Sequence, residues 1–236
     1  MANNMKAHFV AGGNTKLGKS VLTFSKLYGD ELFYIRGLGI FVKGSCGGYC
    51  IGCKNSCYVK KSYRYDSVML CHAVNTLAIR ESIAKAFDDL DAQLTRKRNK
   101  AEIVRIHQSG ELESLAELIA WLDLARKHPE TVFYLYSKAY DFIEYVVEHD
   151  LIPSNIIILV SIWHEFGIDC YLKTGHNPQI KAFILIDGFD YISFGIEVET
   201  MCFAYDRNGK MNHDITCDLC KKCFNKTTKT IGCFEH

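Results

Sequence analysis

Eight of the eleven cysteines in this 236-residue chain fall into two tight clusters. The first cluster consists of Cys46, Cys50, Cys53 and Cys57. The second consists of Cys217, Cys220, Cys223 and Cys233. Closely grouped thiolates are favoured ligands of zinc and of iron–sulfur clusters, and the glycines between the first four let the backbone fold tightly around a metal. We therefore interpret all eight as metal ligands.

The spacing within the clusters favours iron–sulfur clusters over zinc. Cys217-x2-Cys220-x2-Cys223 has the spacing of bacterial ferredoxin runs. Cys46-x3-Cys50-x2-Cys53 has the spacing seen in radical S-adenosylmethionine enzymes. Zinc is the alternative metal, because pairs of cysteines separated by two residues also form ordinary zinc knuckles. The expected cofactor is one or two [4Fe–4S] clusters.

The composition of the chain narrows the class of protein in which these thiols occur. The chain has 48% apolar residues, which is too many for a disordered protein. Its 28 basic and 27 acidic residues nearly balance, so its net charge does not indicate binding to nucleic acid or to an anionic membrane. Its longest apolar stretch, 156–163, is too short to span a bilayer, and its first residues lack an apolar signal core. We expect a cytoplasmic protein with reduced thiols, in which the isolated Cys71, Cys170 and Cys202 are small buried hydrophobic residues.

Strand-like and helix-like segments alternate between the two clusters. A long helix is predicted from Asp66 to Leu94, and strands begin near residues 103, 132, 156 and 182, which are 29, 24 and 26 residues apart. This is the pitch of βα units in a parallel sheet. We predict an α/β fold, with a partial (β/α) barrel-like parallel sheet in residues 1–204. A Cys-rich, metal-binding C-terminal extension is expected at 205–236.

Polar residues follow the carboxyl end of the predicted strand 103–107. Active-site residues of parallel α/β proteins usually lie on loops at these strand ends. Ser109, Gly110 and Glu111 form a turn there, and the first cysteine cluster lies at the same edge if residues 32–42 are the first strand. The turn resembles the Gly-Gly-Glu-like turn with which radical S-adenosylmethionine enzymes contact the cofactor amine. That resemblance implies that Ser109, Gly110 and Glu111 bind S-adenosylmethionine, with His107 and Glu111 as catalytic candidates.

Motifs along most of the chain resemble those of the phage family described as gene-product-88-like. They are Asn14–Gly18 with Thr23–Ser25, Cys46-x6-Cys53-x3-Cys57-Tyr58, Arg105–Glu111, Cys217-x2-Cys220-x2-Cys223 and Phe234–His236. The resemblance implies a phage-encoded iron–sulfur protein with a radical-enzyme-like scaffold, working in the bacterial host cytoplasm on an unidentified substrate. Two cysteine triads stay open for the first cluster, 46, 50 and 53 or 46, 53 and 57.

Two other functions fit parts of the sequence. The chain could be a non-enzymatic binding protein whose fold is stabilised by zinc or by a closed cluster. It would then bind host protein or nucleic acid through Lys97, Arg98 and the lysines at 221–229. Gly13–Ser20 also satisfies the phosphate-loop pattern of nucleotide hydrolases, with Asp187 as a magnesium ligand. The β-forming residues 21–25 that follow argue against the helix such a loop requires.

Overall fold

The computed structural model describes residues 5–11, 17, 21–47, 53, 57–96, 101–186, 192–203, 212 and 214–234. Ten strands lie within these residues. In chain order they are β1 (Val10–Ala11), β2 (Val21–Phe24), β3 (Leu32–Ile35), β4 (Ile40–Lys43), β5 (Ile103–Ile106), β6 (Val132–Ser137), β7 (Ile156–Ile162), β8 (Ile180–Leu185), β9 (Thr200–Met201) and β10 (Thr230–Cys233).

Eight of these strands form one sheet in the order β1-β2-β5-β6-β7-β8-β10-β9. All neighbouring pairs are parallel except β1 and β2, so seven strands run in the same direction. Every residue of β7 is buried, which is typical of a central parallel strand covered on both faces. The α/β class and the parallel sheet are confirmed; the sheet as described is open, with β1 and β9 at its edges.

Helices connect successive parallel strands. They are α1 (Asp66–Glu81), α2 (Ile83–Thr95), α3 (Leu115–Lys127), α4 (Tyr140–Glu148), α5 (Glu165–Thr174) and the short α6 (Cys217–Cys220), with 3₁₀ turns at Tyr58–Arg64 and Ile192–Phe194. The single long helix predicted from 66 to 94 is wrong in one respect, because Ser82 interrupts it. The Ser82 hydroxyl accepts a hydrogen bond from the Lys85 backbone N–H and so begins α2.

The predicted first strand at 32–42 is also wrong. These residues form the hairpin β3–β4, which is a separate two-stranded sheet. Residues 36–39 turn the chain, with Gly39 in the left-handed region at φ +67°. The first parallel strand is β2, and the hairpin lies in the long connection between β2 and β5.

The two faces of the main sheet carry different cores. One face packs against α1 to α5 and includes the fully buried Trp121. The opposite face is covered by C-terminal residues, among them Cys217, Cys223 and Phe224, which pack on Tyr134 of β6 and its neighbours. Right-handed crossovers between strands in chain order put the helices on one face, which leaves the other face for this segment.

The C-terminal residues are part of the sheet, since β10 lies between β8 and β9. No helix among the described residues is both long and apolar enough to cross a bilayer.

Candidate metal centre

The ends of β2 and β5 are held together at the carboxyl edge of the sheet. Phe24 and Ile106 are register partners, and beyond them the Lys26 backbone N–H donates to the Ser109 carbonyl at 2.8 Å. The Ser109 hydroxyl returns a bond of 2.8 Å to the Lys26 carbonyl. Gly110 follows with φ +84°, and a Cβ there would lie 2.7 Å from that of Lys26. Only glycine fits this turn without strain.

The loop that carries Cys46 is attached to this same turn. After β4, the backbone N–H groups of Ser45 and Cys46 donate to the carbonyls of Leu27 and Gly29 at 2.9 and 2.8 Å. The Ser45 hydroxyl donates to the Leu27 carbonyl at 2.7 Å and accepts from the Glu111 N–H at 3.2 Å. The Cys46 loop and the Ser-Gly-Glu turn therefore lie side by side, although residues 32–42 are not the first parallel strand from which this position was expected.

The Glu111 side chain joins the turn to the end of β6. Its Oε1 accepts from the Ser137 hydroxyl at 2.8 Å and from the Leu112 N–H at 2.9 Å. Its Oε2 accepts from the Lys138 N–H at 2.8 Å, and the residue is 8% exposed. Three bonds to one carboxylate fix its position, so the arrangement favours a positioning role for Glu111 beside Cys46 over a free ligand for an amine.

Lys138 is the shared neighbour of the three described thiols of the first cluster. Its Nζ lies 3.6 Å from Cys53 Sγ and 4.8 Å from the centre of the Trp163 ring. Burial raises the pKa of Cys46 to about 12, and the Glu111 carboxylate adds to this, while the Lys138 charge lowers it. Burial also raises the pKa of Cys57, and the positive charge of Lys138 again lowers it. Cys46 and Cys57 are thus protonated at neutral pH, and a metal must displace their protons.

The described triad at this edge is therefore Cys46, Cys53 and Cys57, and Cys50 lies outside the described residues. Within the part of the chain that the structure describes, no three His, Cys, Asp or Glu side chains are close enough to share a single metal ion.

His107 lies in a buried network. Its backbone has φ +52°, its ring packs 5.9 Å from Phe24 and 6.2 Å from Trp121, and its Nε2 lies 3.1 Å from Glu117 Oε1. The Lys26 Nζ donates to Glu117 Oε2 at 2.7 Å. Enclosure by aromatic side chains favours a structural role for His107 over proton transfer to a substrate.

The same network controls the ionisation of Glu117, whose side chain is fully buried. Burial alone would raise the pKa of this carboxyl, but the Lys26 ammonium, His107 and the Glu113 backbone N–H together lower it from 4.5 to about 2. Lys26 also lies 3.3 Å from Glu113, which Arg80 of α1 binds at 2.6 Å. Buried charges of this kind are tolerated only when paired. No sequence pattern indicated this network.

The second cysteine cluster differs from the prediction in one member. Cys217, Cys220 and Cys223 line one pocket together with Cys202. Cys202 was expected to be an isolated hydrophobic residue, and it joins the pocket because it follows β9, which pairs with β10. Cys233 does not line the pocket; it is 5% exposed within β10 itself. No local sequence signal marks Cys202, since the pairing of β9 with β10 is non-local.

Several other predicted site residues lie outside the described part of the chain. They are Lys97, Arg98, Asp187 and all of 13–20 except Leu17. Leu17 is fully buried, and strand β2 begins at Val21. A phosphate loop needs a helix there to present its N–H groups to phosphate, so the geometry does not support the nucleotide-hydrolase hypothesis.

These features define a parallel α/β protein with two groups of cysteines, one at the carboxyl edge of the sheet and one on the face opposite the helices. The family model described as gene product 88 matches residues 8–226. The chain belongs to this phage family, as its motifs predicted. A comparison with curated proteins finds no match. A comparison with solved structures also finds none.

Proposed function

We propose that this protein holds an iron–sulfur cluster through Cys46, Cys53 and Cys57 and binds a small molecule at an iron that these three thiolates leave open. S-adenosylmethionine is the ligand that the resemblance of the Ser109-Gly110-Glu111 turn suggests. When bound, the cluster would chelate the methionine end of this cofactor and deliver the electron for its reductive cleavage to a radical. The substrate that such a radical modifies is not identified by the site.

The observation that carries the proposal is the meeting of three thiols around one lysine at the carboxyl edge of a parallel sheet. Lys138 contacts Cys53 directly and lowers the pKa of both Cys46 and Cys57. A lysine among thiols offsets the negative charge of a thiolate-bound cluster. The parallel strands β2, β5, β6, β7 and β8 follow each other in chain order, which is also the order in a (β/α) barrel.

The chain's own residues have separable tasks in this proposal. Ser45 and Glu111 fix the backbone on which Cys46 lies, Lys138 supplies positive charge, and Trp163 covers the lysine from one side. The carboxylate of Glu111 positions the strand ends. Gly110 lets the turn approach Lys26 and Ser45 closely. None of these tasks requires the buried His107.

The proposal is tested on anaerobically purified protein by measuring iron, sulfide and zinc per chain, followed by electron paramagnetic resonance of the reduced sample. Adding S-adenosylmethionine is expected to change the spectrum, because it would bind the open iron. The variant C46A/C53A/C57A is expected to lose about four irons per chain and the whole spectral response.

Cys170→Ala provides the matched control. Cys170 is fully buried in α5, where its Sγ lies near the Tyr140 carbonyl, far along the chain from the triad. This variant should keep both the iron and the response. Iron without any response to S-adenosylmethionine would contradict an open site. Zinc alone would contradict the proposal and favour the metal-stapled binding protein, for which a steep salt dependence of DNA binding would be the next test.

Replacing Glu111 by alanine tests its positioning role. The change leaves the Ser137 hydroxyl and the N–H groups of Leu112 and Lys138 without their acceptor, so the free energy of unfolding should fall by about 2 kcal/mol. We expect the iron content to persist and the affinity for S-adenosylmethionine, titrated by the spectral change, to fall about tenfold. An unchanged affinity would exclude any role of Glu111 in binding the cofactor.

A further inference from the structure

The second group of cysteines surrounds a pocket at the C-terminal side of the sheet. The pocket contains about 320 Å³ of space free of protein atoms, part of it open to solvent. Its lining comprises Cys202, Phe203, Ile215, Thr216, Cys217, Cys220, Lys221, Lys222, Cys223 and Phe224. Four cysteines therefore line one space, although Cys202 lies 15 positions before the next of them.

Local backbone geometry brings three of these thiols together. Cys217 and Cys220 are three residues apart on α6 and so share one side of its single turn. Lys221 then adopts the left-handed conformation, with φ +58°, and its N–H closes the turn on the Cys217 carbonyl at 2.9 Å. A lysine with this backbone is uncommon. The reversal returns the chain so that Cys223 lines the same pocket.

Cys202 reaches the pocket from another part of the chain. It follows β9 directly, and its N–H donates to the Gly232 carbonyl of β10 at 2.7 Å. The Lys222 Nζ donates to the Thr200 hydroxyl at 2.5 Å and lies 3.7 Å from the centre of the Phe203 ring. These contacts tie the segment around Cys202 to the turn that carries Cys223.

Positive and hydrogen-bonding groups from the sheet surround this pocket. The Tyr136 hydroxyl forms a hydrogen bond with the Cys223 side chain, and the Arg105 guanidinium lies nearby. Arg105 stacks over the Tyr136 ring at 4.9 Å. Lys181 of β8 donates to the Lys222 carbonyl at 3.0 Å. Hydrogen bonds to sulfur and nearby cations stabilise an anionic thiolate-bound centre.

We propose that Cys202, Cys217, Cys220 and Cys223 hold a second, fully thiolate-ligated iron–sulfur cluster on the sheet face opposite the helices. A tetrahedral zinc ion with bonds of about 2.3 Å needs its thiolates roughly 4 Å apart. In a cluster each thiolate binds a different iron at a corner of a larger body, and Cys217-x2-Cys220-x2-Cys223 has the spacing of bacterial ferredoxin runs. This proposal does not rest on the function proposed for Cys46, Cys53 and Cys57.

The test uses the full chain carrying C46A/C53A/C57A, so that any remaining iron belongs to the second group. After anaerobic purification we expect about four irons and four sulfides per chain. Adding Cys202→Ala leaves three thiolates, so it should lower the iron to about three per chain and change the electron paramagnetic resonance spectrum of the reduced sample. Adding Cys233→Ala, a cysteine in β10 outside the pocket, should leave both unchanged. Zinc in place of iron, or dependence of the iron on Cys233 in place of Cys202, would overturn the proposal.

Alkylation of the unmutated chain covers the case in which the Cys202 variant fails to fold. Mass spectrometry should find Cys202, Cys217, Cys220 and Cys223 protected from iodoacetamide together, and all four labelled once a chelator has removed the iron. Labelling of Cys202 while the other three stay protected would refute its role as fourth ligand. Loss of the response to S-adenosylmethionine with iron retained in this pocket would refute only the function proposed for the first group.

Discussion

Replacing Lys26 by methionine is expected to lower the free energy of unfolding at pH 7 by about 3–5 kcal/mol. The Lys26 side chain is fully buried and its Nζ contacts the carboxylates of Glu117 and Glu113 at 2.7 and 3.3 Å. Methionine has a similar volume, so packing is kept, but the buried Glu117 carboxylate loses its nearest cation. Urea unfolding of the purified full chain, followed by circular dichroism, measures the change.

The double variant K26M/E117Q is the matched control. Glutamine at 117 removes the unpaired charge that Lys26→Met creates, so the double variant should be more stable than the sum of the two single effects predicts, by on the order of 1–3 kcal/mol. Strict additivity would mean that Lys26 and Glu117 do not interact. A Lys26→Met variant as stable as the parent would show that the pair contributes nothing.

The pH dependence gives a second readout of the same pair. The pKa of Glu117 is lowered from 4.5 to about 2, so its stabilising contribution is complete above pH 4.5 and is lost as the pH falls through 2. The difference corresponds to about 3 kcal/mol. Lys26, His107, Glu113 and Arg80 are the charged or titratable neighbours of this carboxyl. Glu117→Gln should remove the part of the acid-induced loss of stability that falls between pH 4.5 and 2.

Replacing Gly44 by alanine is expected to destabilise the protein by about 3 kcal/mol and to displace the Cys46 loop. A Cβ at this position would lie 2.2 Å from the carbonyl oxygens of both Tyr28 and Gly29. Both are backbone atoms, and Gly44 is itself held between the Glu31 carbonyl and the Arg80 guanidinium at 2.9 Å each. The loop must therefore move as a unit, and iron bound through Cys46 should fall together with stability.

Gly47→Ala is the control for that prediction, three residues further along the same loop. A Cβ there would meet no atom within 4 Å, so the free energy of unfolding should change by less than about 0.5 kcal/mol. Equal effects of the two substitutions would show that loop entropy, and not the contact with Tyr28 and Gly29, determines the cost. Chemical unfolding and iron analysis of both variants distinguish these two causes.

The parallel sheet could be predicted because its signal is local. β7 is apolar except for Ser161, and β5, β6 and β7 are each followed by a helix of 9–13 residues, so the spacing of the strands indicates βα units. The sequence predicts one strand at 32–42 instead of the hairpin at 32–43, because apolar residues lie on both sides of the turn. A turn inside an apolar run resembles a continuous strand in sequence. Ser82 was overlooked for a similar reason, since the apolar periodicity continues across it.

The parts of the sites that could not be predicted depend on distant residues. Lys26 and Glu117 are 91 residues apart, and a lysine beside a strand is ordinarily read as exposed. Ser114 and Glu117 have the spacing of a capping box, and the Glu117 N–H does donate to the Ser114 hydroxyl, but the Glu117 carboxylate binds Lys26 and His107. Cys202 could be grouped with Cys217 only through the pairing of β9 with β10.

The position of β10 between β8 and β9 also affects the order in which the protein can be assembled on the ribosome. β9 pairs with β10 alone among the described strands, and its partner is synthesised about 30 residues later. At translation speeds of 5–20 residues per second, roughly 2–6 s pass between the synthesis of β9 with the adjoining Cys202 and the synthesis of its partner β10. The helix-covered part of the sheet is synthesised before β10, so the strand pairing that holds Cys202 beside the other three thiols can form only after that part has been made.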